Sequence, residues 1–363
     1  MTKMYVNLNN IKYNLDNIKK KLNKDTTIIA MVKANSYGLG DVEVSKFLEN
    51  NGINFFGVAY VSEGVRLRNN NISSNILVTG IFNLEDFEDI VNYNLCISVP
   101  TLENLDKLND HAMKKNKIIK IHLKIETGMS RLGFKLDELP YAIDKILDLK
   151  NICIDGIYTH LSSADVDRDY TLKQIDIFKH ALSYVQSLGI EPSYIHCLNS
   201  SGIINFPEYS FNTVRVGDCL YGYYPASSLR NKISLKPSVK ITANISQITD
   251  YIKGTKISYN QNYTLEKDSK VAVVQMGYAD GLFRSLSNKY EVIVKRKKCI
   301  IIGNICMDMF MCDVSEINDL TFQDEVAILD YDDSIYEMCD IIGTINYEIL
   351  SKISPRVKRV YIQ

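Results

Sequence analysis

Ile28-Ile29-Ala30-Met31-Val32-Lys33, which opens the stretch IIAMVKANSYGLG, is five apolar residues ended by a lysine, and it is the first of eight such runs. The others are FFGVAY from Phe55, ILVTG from Ile76, LCISV from Leu95, IIKIHLKIE from Ile118, ICIDGIYTHL from Ile152, YIHCLN from Tyr194 and NTVRVG from Asn212. Segments with helical periodicity separate them. One is TLENLDKLNDHAMKK from Thr101, with Leu102, Leu105 and Leu108 on one face; another runs from Leu172 to Leu188. Unbroken apolar strands alternating with helices imply a parallel sheet covered on both faces. Eight of them fit a closed (β/α)8 barrel of the TIM type, within an α/β fold class. A doubly wound open sheet fits the same alternation.

Beyond Gly222 the helical periodicity gives way to short β-type runs. These are VKITANISQI from Val239, TKISYNQNYTL from Thr255, KVAVVQMGYA from Lys270, YEVIVKRKKCIIIG from Tyr290, MDMFMCDV from Met307 and DEVAILDY from Asp324. The pattern predicts a barrel over residues 1–230 and an all-β domain over 231–363, with one short helix near Asp340 to Leu350.

Bulk properties exclude several roles. The chain has 363 residues and a formal net charge of −1, so it lacks an electrostatic grip on nucleic acid or anionic membrane. The basic runs Lys19-Lys20-Lys21 and Lys295-Arg296-Lys297-Lys298 read as solvated faces. No apolar segment reaches the roughly 18 residues of a spanning helix, and the start MTKMYVNLNN lacks a signal-peptide core. These features predict a cytoplasmic protein. Cys96, Cys153, Cys197, Cys219, Cys299, Cys306, Cys312 and Cys339 are scattered, with no C-x-x-C pair. They read as free thiols, and no metal site is expected.

In such a barrel the active site lies at the C-terminal ends of the strands. Lys33, Lys124, Thr159-His160, Asn199-Ser200-Ser201-Gly202 and Arg215-Val216-Gly217 all fall there. A lysine at a strand mouth can bond to an aldehyde cofactor once its amine is shifted toward neutrality. It can equally snorkel or form an ion pair. Ser200, Ser201, Gly202 and Gly217 occupy the usual phosphate position beyond the last two strands, although NSSG is also an ordinary helix cap. His160 and His196 are as readily structural as catalytic. Tyr278, in MGYADG, sits at a loop tip and suits an interface or an acid–base role.

Seven ordered segments together resemble the alanine racemase family over essentially the whole chain. They are AMVKANSYGLG around Lys33, KIETGMSRLGF around Arg131, YTHLSSAD around His160, HCLNSSG around Ser200, VRVGDCLYG around Arg215, MGYADG around Tyr278, and GNICMDM around Cys306 and Met307. The resemblance implies a pyridoxal 5'-phosphate enzyme that interconverts L- and D-alanine and supplies D-amino acid for the cell wall. It implies that Lys33 carries the cofactor and acts as one base, with Tyr278 as the second. Arg215 faces the pyridine nitrogen, and Tyr37, Ser200 and Gly217 hold the phosphate. Arg131 and the backbone at Met307 bind the substrate carboxylate. His160 hydrogen-bonds Tyr278, and Lys124 matches a lysine that is often carbamylated to fix Arg131. It also implies a homodimer in which the β domain completes the partner's active site.

The chain departs from the family's pattern at Pro355, which stands in Ile353-Ser354-Pro355-Arg356-Val357-Lys358-Arg359 where the family carries a tyrosine. A hydroxyl contacting the phosphate and Tyr278 is lost, and the pocket widens. The related serine racemases also replace this tyrosine, which makes serine the alternative substrate. Ser258-Tyr259-Asn260 differs from the family's S-Y-G as well. A decarboxylase of similar architecture and a non-catalytic pyridoxal-phosphate-binding protein are the other readings. The first lacks the MGYADG tyrosine, and the second is usually a bare barrel.

Overall fold

The structure is a computed structural model and describes residues 2–363. Two compact units divide the chain. One comprises Lys12–Ser36 and Asp41–Leu235; the other joins the N-terminal residues through Ile11 to Tyr37–Gly40 and Lys236–Gln363.

The chain opens with strand β1 (Lys3–Asn7), which belongs to the second unit. The first unit holds eight parallel strands: β2 (Thr27–Met31), β3 (Phe55–Val58), β4 (Asn75–Val78), β5 (Cys96–Val99), β6 (Ile119–Lys124), β7 (Ile152–Tyr158), β8 (Tyr194–His196) and β9 (Thr213–Val216). They pair in the order β8-β7-β6-β5-β4-β3-β2-β9. The Arg215 N–H donates to the Leu198 carbonyl at 3.0 Å, linking β9 to the end of β8 and closing the ring. All eight coincide with the eight apolar runs, which selects the closed barrel over the open sheet. The reason is visible in burial. β3, β5 and β9 are buried at every position, so both faces of these strands are covered, and the polar residues among them, Ser98, Thr213 and Arg215, are buried with the rest.

Helices connect the strands. Leu105–Lys114 turns Leu105, Leu108 and Ala112 inward, and Arg168–Ser187 buries Ile175, Phe178, Ala181, Leu182 and Val185. Each buried leucine contributes about 2 kcal/mol of apolar transfer. β2 stops at Met31, two residues short of Lys33, so the lysine stands in the turn beyond the strand and not at its last position.

The second unit is mostly β. Its strands are β1, β10 (Val239–Tyr251), β11 (Lys256–Ile257), β12 (Tyr263–Thr264), β13 (Ser269–Val274), β14 (Glu291–Val294), β15 (Lys297–Ile302), β16 (Phe310–Asp313), β17 (Glu325–Leu329) and β18 (Lys358–Ile362). The main sheet runs β13-β16-β15-β14-β17-β10-β1-β18, and β13 also pairs with β10, so six of the strands form a ring. β10 serves both β17 and β13 because bulges at Ile241/Thr242 and Ile245/Gln247 bend it between partners. β1 inserts between β10, antiparallel, and β18, parallel. Where one helix was expected near Asp340 to Leu350, there are two, Ser334–Ile342 and Asn346–Ser351. Gly343 lies between them at φ 78°, a left-handed stop that ends the first.

No helix among the described residues is long and apolar enough to cross a membrane. All eight cysteines are free thiols.

Candidate active site

Beyond β2 the backbone does something rare. Ala34, Asn35, Ser36 and Tyr37 have φ of 51°, 57°, 51° and 55°, four consecutive non-glycine residues in the left-handed region. Each costs on the order of 1–2 kcal/mol, so the surroundings must hold the turn in place. Glu63 supplies much of that hold. One carboxylate oxygen accepts the Ala34 N–H at 2.7 Å; the other accepts the N–H groups of Ala59 (2.7 Å) and Tyr60 (3.1 Å). The ends of β2 and β3 are thereby tied together beside Lys33. In the other unit, the Gly38 carbonyl accepts from the Arg359 guanidinium at 2.9 and 3.1 Å, and Leu39 O from the Tyr361 hydroxyl at 3.0 Å. Tyr37 packs edge-on against Tyr347, centroids 6.2 Å apart.

Glu63→Ala leaves three backbone N–H groups without their charged acceptor. The expected loss is about 2 kcal/mol of stability, read as a lowered urea midpoint. A midpoint unchanged from the parent would show that the turn holds itself.

Lys33 is half-buried, and its amine is pushed below the usual lysine range, first by burial and then by the Arg131 charge. Glu63 and Asp218 pull the other way, less strongly than burial. Lys124 ends β6 at 4% exposure, its ammonium 5.5 Å over the Tyr158 ring. Burial and the neighbouring Arg131 and Arg215 bring it down to about 8, and no carboxylate pairs with it among the described residues. Arg131 is held through its backbone, which donates to Glu126 at 3.2 Å. Burial raises the Glu126 carboxyl, but N–H groups of Ser130, Gly128, Arg131 and Met129 outweigh it and keep it ionised.

Arg215 is buried, with no carboxylate partner among the described residues. Its guanidinium donates to Thr159 O (2.7 Å), Cys197 O (3.3 Å) and His196 Nδ1 (2.6 Å), and lies 3.5 Å from His160 Nδ1. Burial and the Arg215 charge hold His160 well below the usual imidazole range. The Ser200 hydroxyl accepts the Gly217 N–H at 3.1 Å, joining the two positions read as a phosphate cradle. Asp218 follows. It is buried, one carboxyl oxygen has no hydrogen-bond partner, and burial raises it far above the usual carboxylate range.

The barrel therefore brings together Lys33, Lys124, Arg131, His160 and Arg215, with Ser200 and Gly217 paired nearby. Cationic groups outnumber available anions there. Glu63 and Glu126 are occupied by backbone N–H groups, and burial disfavours the ionised form of Asp218. Such a mouth suits an anionic occupant. Sequence reasoning missed Glu63 and Asp218. Asp218 lay in plain view within VRVGDCLYG; nothing local marks Glu63.

The second unit brings Tyr278 and Met307 together. Tyr278 N–H donates to Cys306 O and Ala279 N–H to Met307 O, both at 3.0 Å. Gly277 permits this approach, since a Cβ there would collide with the Met307 and Cys306 carbonyls. Tyr278 and Met307 are 45% and 53% exposed, so this tip presents its side chains outward. Pro355 is exposed in the same unit.

Residues 6–225 match the family model for the alanine racemase N-terminal domain, and residues 238–361 match that for the alanine racemase C-terminal domain. Alanine racemase 1 of Clostridium acetobutylicum is 37% identical over 99% of this chain and 94% of its own length. The alanine racemase of Methanococcus maripaludis is also 37% identical, over 98% of this chain and 97% of its own. Among solved structures, the alanine racemase of Clostridium difficile 630 superposes with a TM-score of 0.96 at 35% identity, covering 99% of this chain and 95% of that one. With both domain models matched in order and relatives of this similarity spanning nearly every residue, the chain belongs to the alanine racemase family.

Proposed function

We propose that the protein is an isomerase, a pyridoxal-phosphate-dependent racemase that interconverts L- and D-alanine. One observation carries the reading: in a chain of this family, the barrel mouth sets a lysine with a lowered amine beside a buried guanidinium that has no carboxylate partner. Pyridoxal phosphate, an anionic aldehyde, fits that donor set.

When bound, the cofactor supplies an electron sink that acidifies the Cα proton of the amino acid it carries. Lys33 would hold it through the ε-amine, which must be uncharged to do so; burial and Arg131 favour that form. The Ser200 hydroxyl, which accepts from the Gly217 N–H, would donate its proton to a phosphate oxygen, and Gly217 and Tyr37 would complete the cradle. Arg215 would face the ring nitrogen. A guanidinium has no proton acceptor to offer and keeps its own proton, so it would disfavour protonation of that nitrogen when the cofactor is bound.

Arg131 and the Met307 backbone bind the substrate carboxylate. Racemisation needs a proton taken from one face of Cα and returned on the other, which assigns Lys33 Nζ and Tyr278 Oη to opposite faces. His160 orients Tyr278. The Lys124 amine, near 8 and without an anionic partner, is suited to add carbon dioxide with loss of a proton, giving a carbamate that braces Arg131. In this reading Tyr278 and Met307 serve the other subunit of a C2 homodimer, and the enzyme works in the cytoplasm to supply D-alanine for the cell wall. Serine as the substrate rested on Pro355. The relatives described above are named for alanine and lend it no support.

The test is D-product formation from L-alanine and L-serine in parallel, by the purified protein with pyridoxal phosphate. D-Alanine is the expected and faster product. Faster D-serine formation would overturn the choice of substrate, and no D-product from either would overturn the function.

A further inference from the structure

The family's tyrosine is absent at position 355, and the residues beside that position engage the loop that carries Tyr278. Asp280, two residues after Tyr278, has a side chain only 9% exposed. One of its carboxylate oxygens accepts the Gly277 N–H at 2.9 Å; the other lies 3.4 Å from Arg356 Nε. The same guanidinium donates to Asp308 at 2.7 Å, and Asp308 is the residue after Met307. Ser354 N–H donates to Asp280 O at 3.1 Å, so the 354–356 segment meets the tyrosine loop through backbone and side chain alike. One arginine thus grips the loop of the second base and the loop of the carboxylate-binding backbone.

We propose that Arg356 is a positioning residue for the reaction, fixing Tyr278 and Met307 in register through Asp280 and Asp308. The proposal rests on the reading of Tyr278 as a base. Pro355 contributes by fixing its own φ near −65° and so restraining the chain that presents Arg356. A half-exposed ion pair adds little to folding, so the role lies in aim and not in stability. Misplacing a reacting group by about 1 Å can cost up to about 100-fold in rate, so a loosened loop has a kinetic signature.

The experiment compares Arg356→Gln, Arg356→Lys and Asp308→Asn with the parent enzyme and with Tyr278→Phe. It measures kcat and KM for both enantiomers, the α-deuterium isotope effect on each, and the thermal midpoint. Arg356→Gln is expected to lower kcat about tenfold and raise KM a few-fold, in line with a sub-ångström misplacement. The isotope effect should rise for one enantiomer only, the one whose proton Tyr278 removes. Arg356→Lys restores most of the loss because a cation still reaches Asp308. Asp308→Asn, which cuts one arm alone, gives a smaller shift of the same kind and carries the test if Arg356→Gln fails to fold. Unchanged kinetics, or equal isotope effects on both enantiomers with a lowered midpoint, would overturn the proposal. Full activity in Tyr278→Phe would instead sink the assignment of the second base, and this inference with it.

Discussion

Lys33→Ala is expected to lower racemisation of alanine at least about 1000-fold, because one side chain both anchors the cofactor and moves a proton. The physical case starts with the backbone. Four left-handed residues follow the lysine, and Glu63 ties the first of them to the end of β3, so Lys33 leaves the barrel wall in a fixed direction. Burial and Arg131 then favour the uncharged amine, the form that can attack an aldehyde or take a proton. Lys33→Arg should fail nearly as badly, since a guanidinium keeps its charge and offers no lone pair. The check is D-alanine formation from L-alanine with cofactor in excess, together with cofactor release on dialysis. The parent should retain its cofactor and Lys33→Ala should lose it. An alanine variant within tenfold of the parent would remove Lys33 from both roles.

How far the sequence reached depended on whether a feature was local. The eight barrel strands were legible because strands buried on both faces are written as largely apolar runs, from IIAM at Ile28 to TVRV at Thr213, where Arg215 is the charged exception. β1 was not. KMYVN alternates buried and half-buried positions, runs directly into a helix without a turn residue, and finds its partners at Val239–Thr242 and Lys358–Ile362. The final helix was read as one piece because Gly343 inside an apolar pattern does not reveal its left-handed φ in advance. Among site residues, Lys33 and Arg215 stood out as charges at or just beyond an apolar strand, but their roles came only from the resemblance. Glu63 could not, since its function is a hydrogen bond to a backbone N–H 29 positions earlier. Nor could Arg356, whose two aspartates arrive from separate loops.

Acid should unfold the cofactor-free protein unusually early, through three histidines that the barrel keeps neutral. The Arg215 guanidinium donates to His196 Nδ1 at 2.6 Å, and a guanidinium can only donate, so that nitrogen carries no proton. His196 Nε2 therefore bears the hydrogen and donates to His122 Nδ1 at 2.8 Å. His122 in turn keeps its hydrogen on Nε2, which has no hydrogen-bond partner, and its ring stacks on Tyr194 at 5.6 Å. Gly156 makes room for that ring, since a Cβ there would lie 2.7 Å from it. Both rings are fully buried. Burial first, then the Arg215 charge, drives His122 to about 3 and His196 well below the usual imidazole range, and His160 moves the same way. Unfolding returns all three to about 6.5, so between that value and the folded ones the unfolded chain binds more protons. The stability these groups lend is complete above about pH 7 and is lost as pH falls through 6.5. At pH 5.5 the three together should have cost a few kcal/mol relative to pH 7.5, on the order of 4 kcal/mol at most. Proton uptake on urea unfolding at pH 5.5 should therefore approach three per chain from these residues, and His122→Phe should remove about one. Uptake near zero, or a variant indistinguishable from the parent, would mean that the imidazoles are already charged in the folded barrel, and that Arg215 does not impose the order of donors read from its contacts.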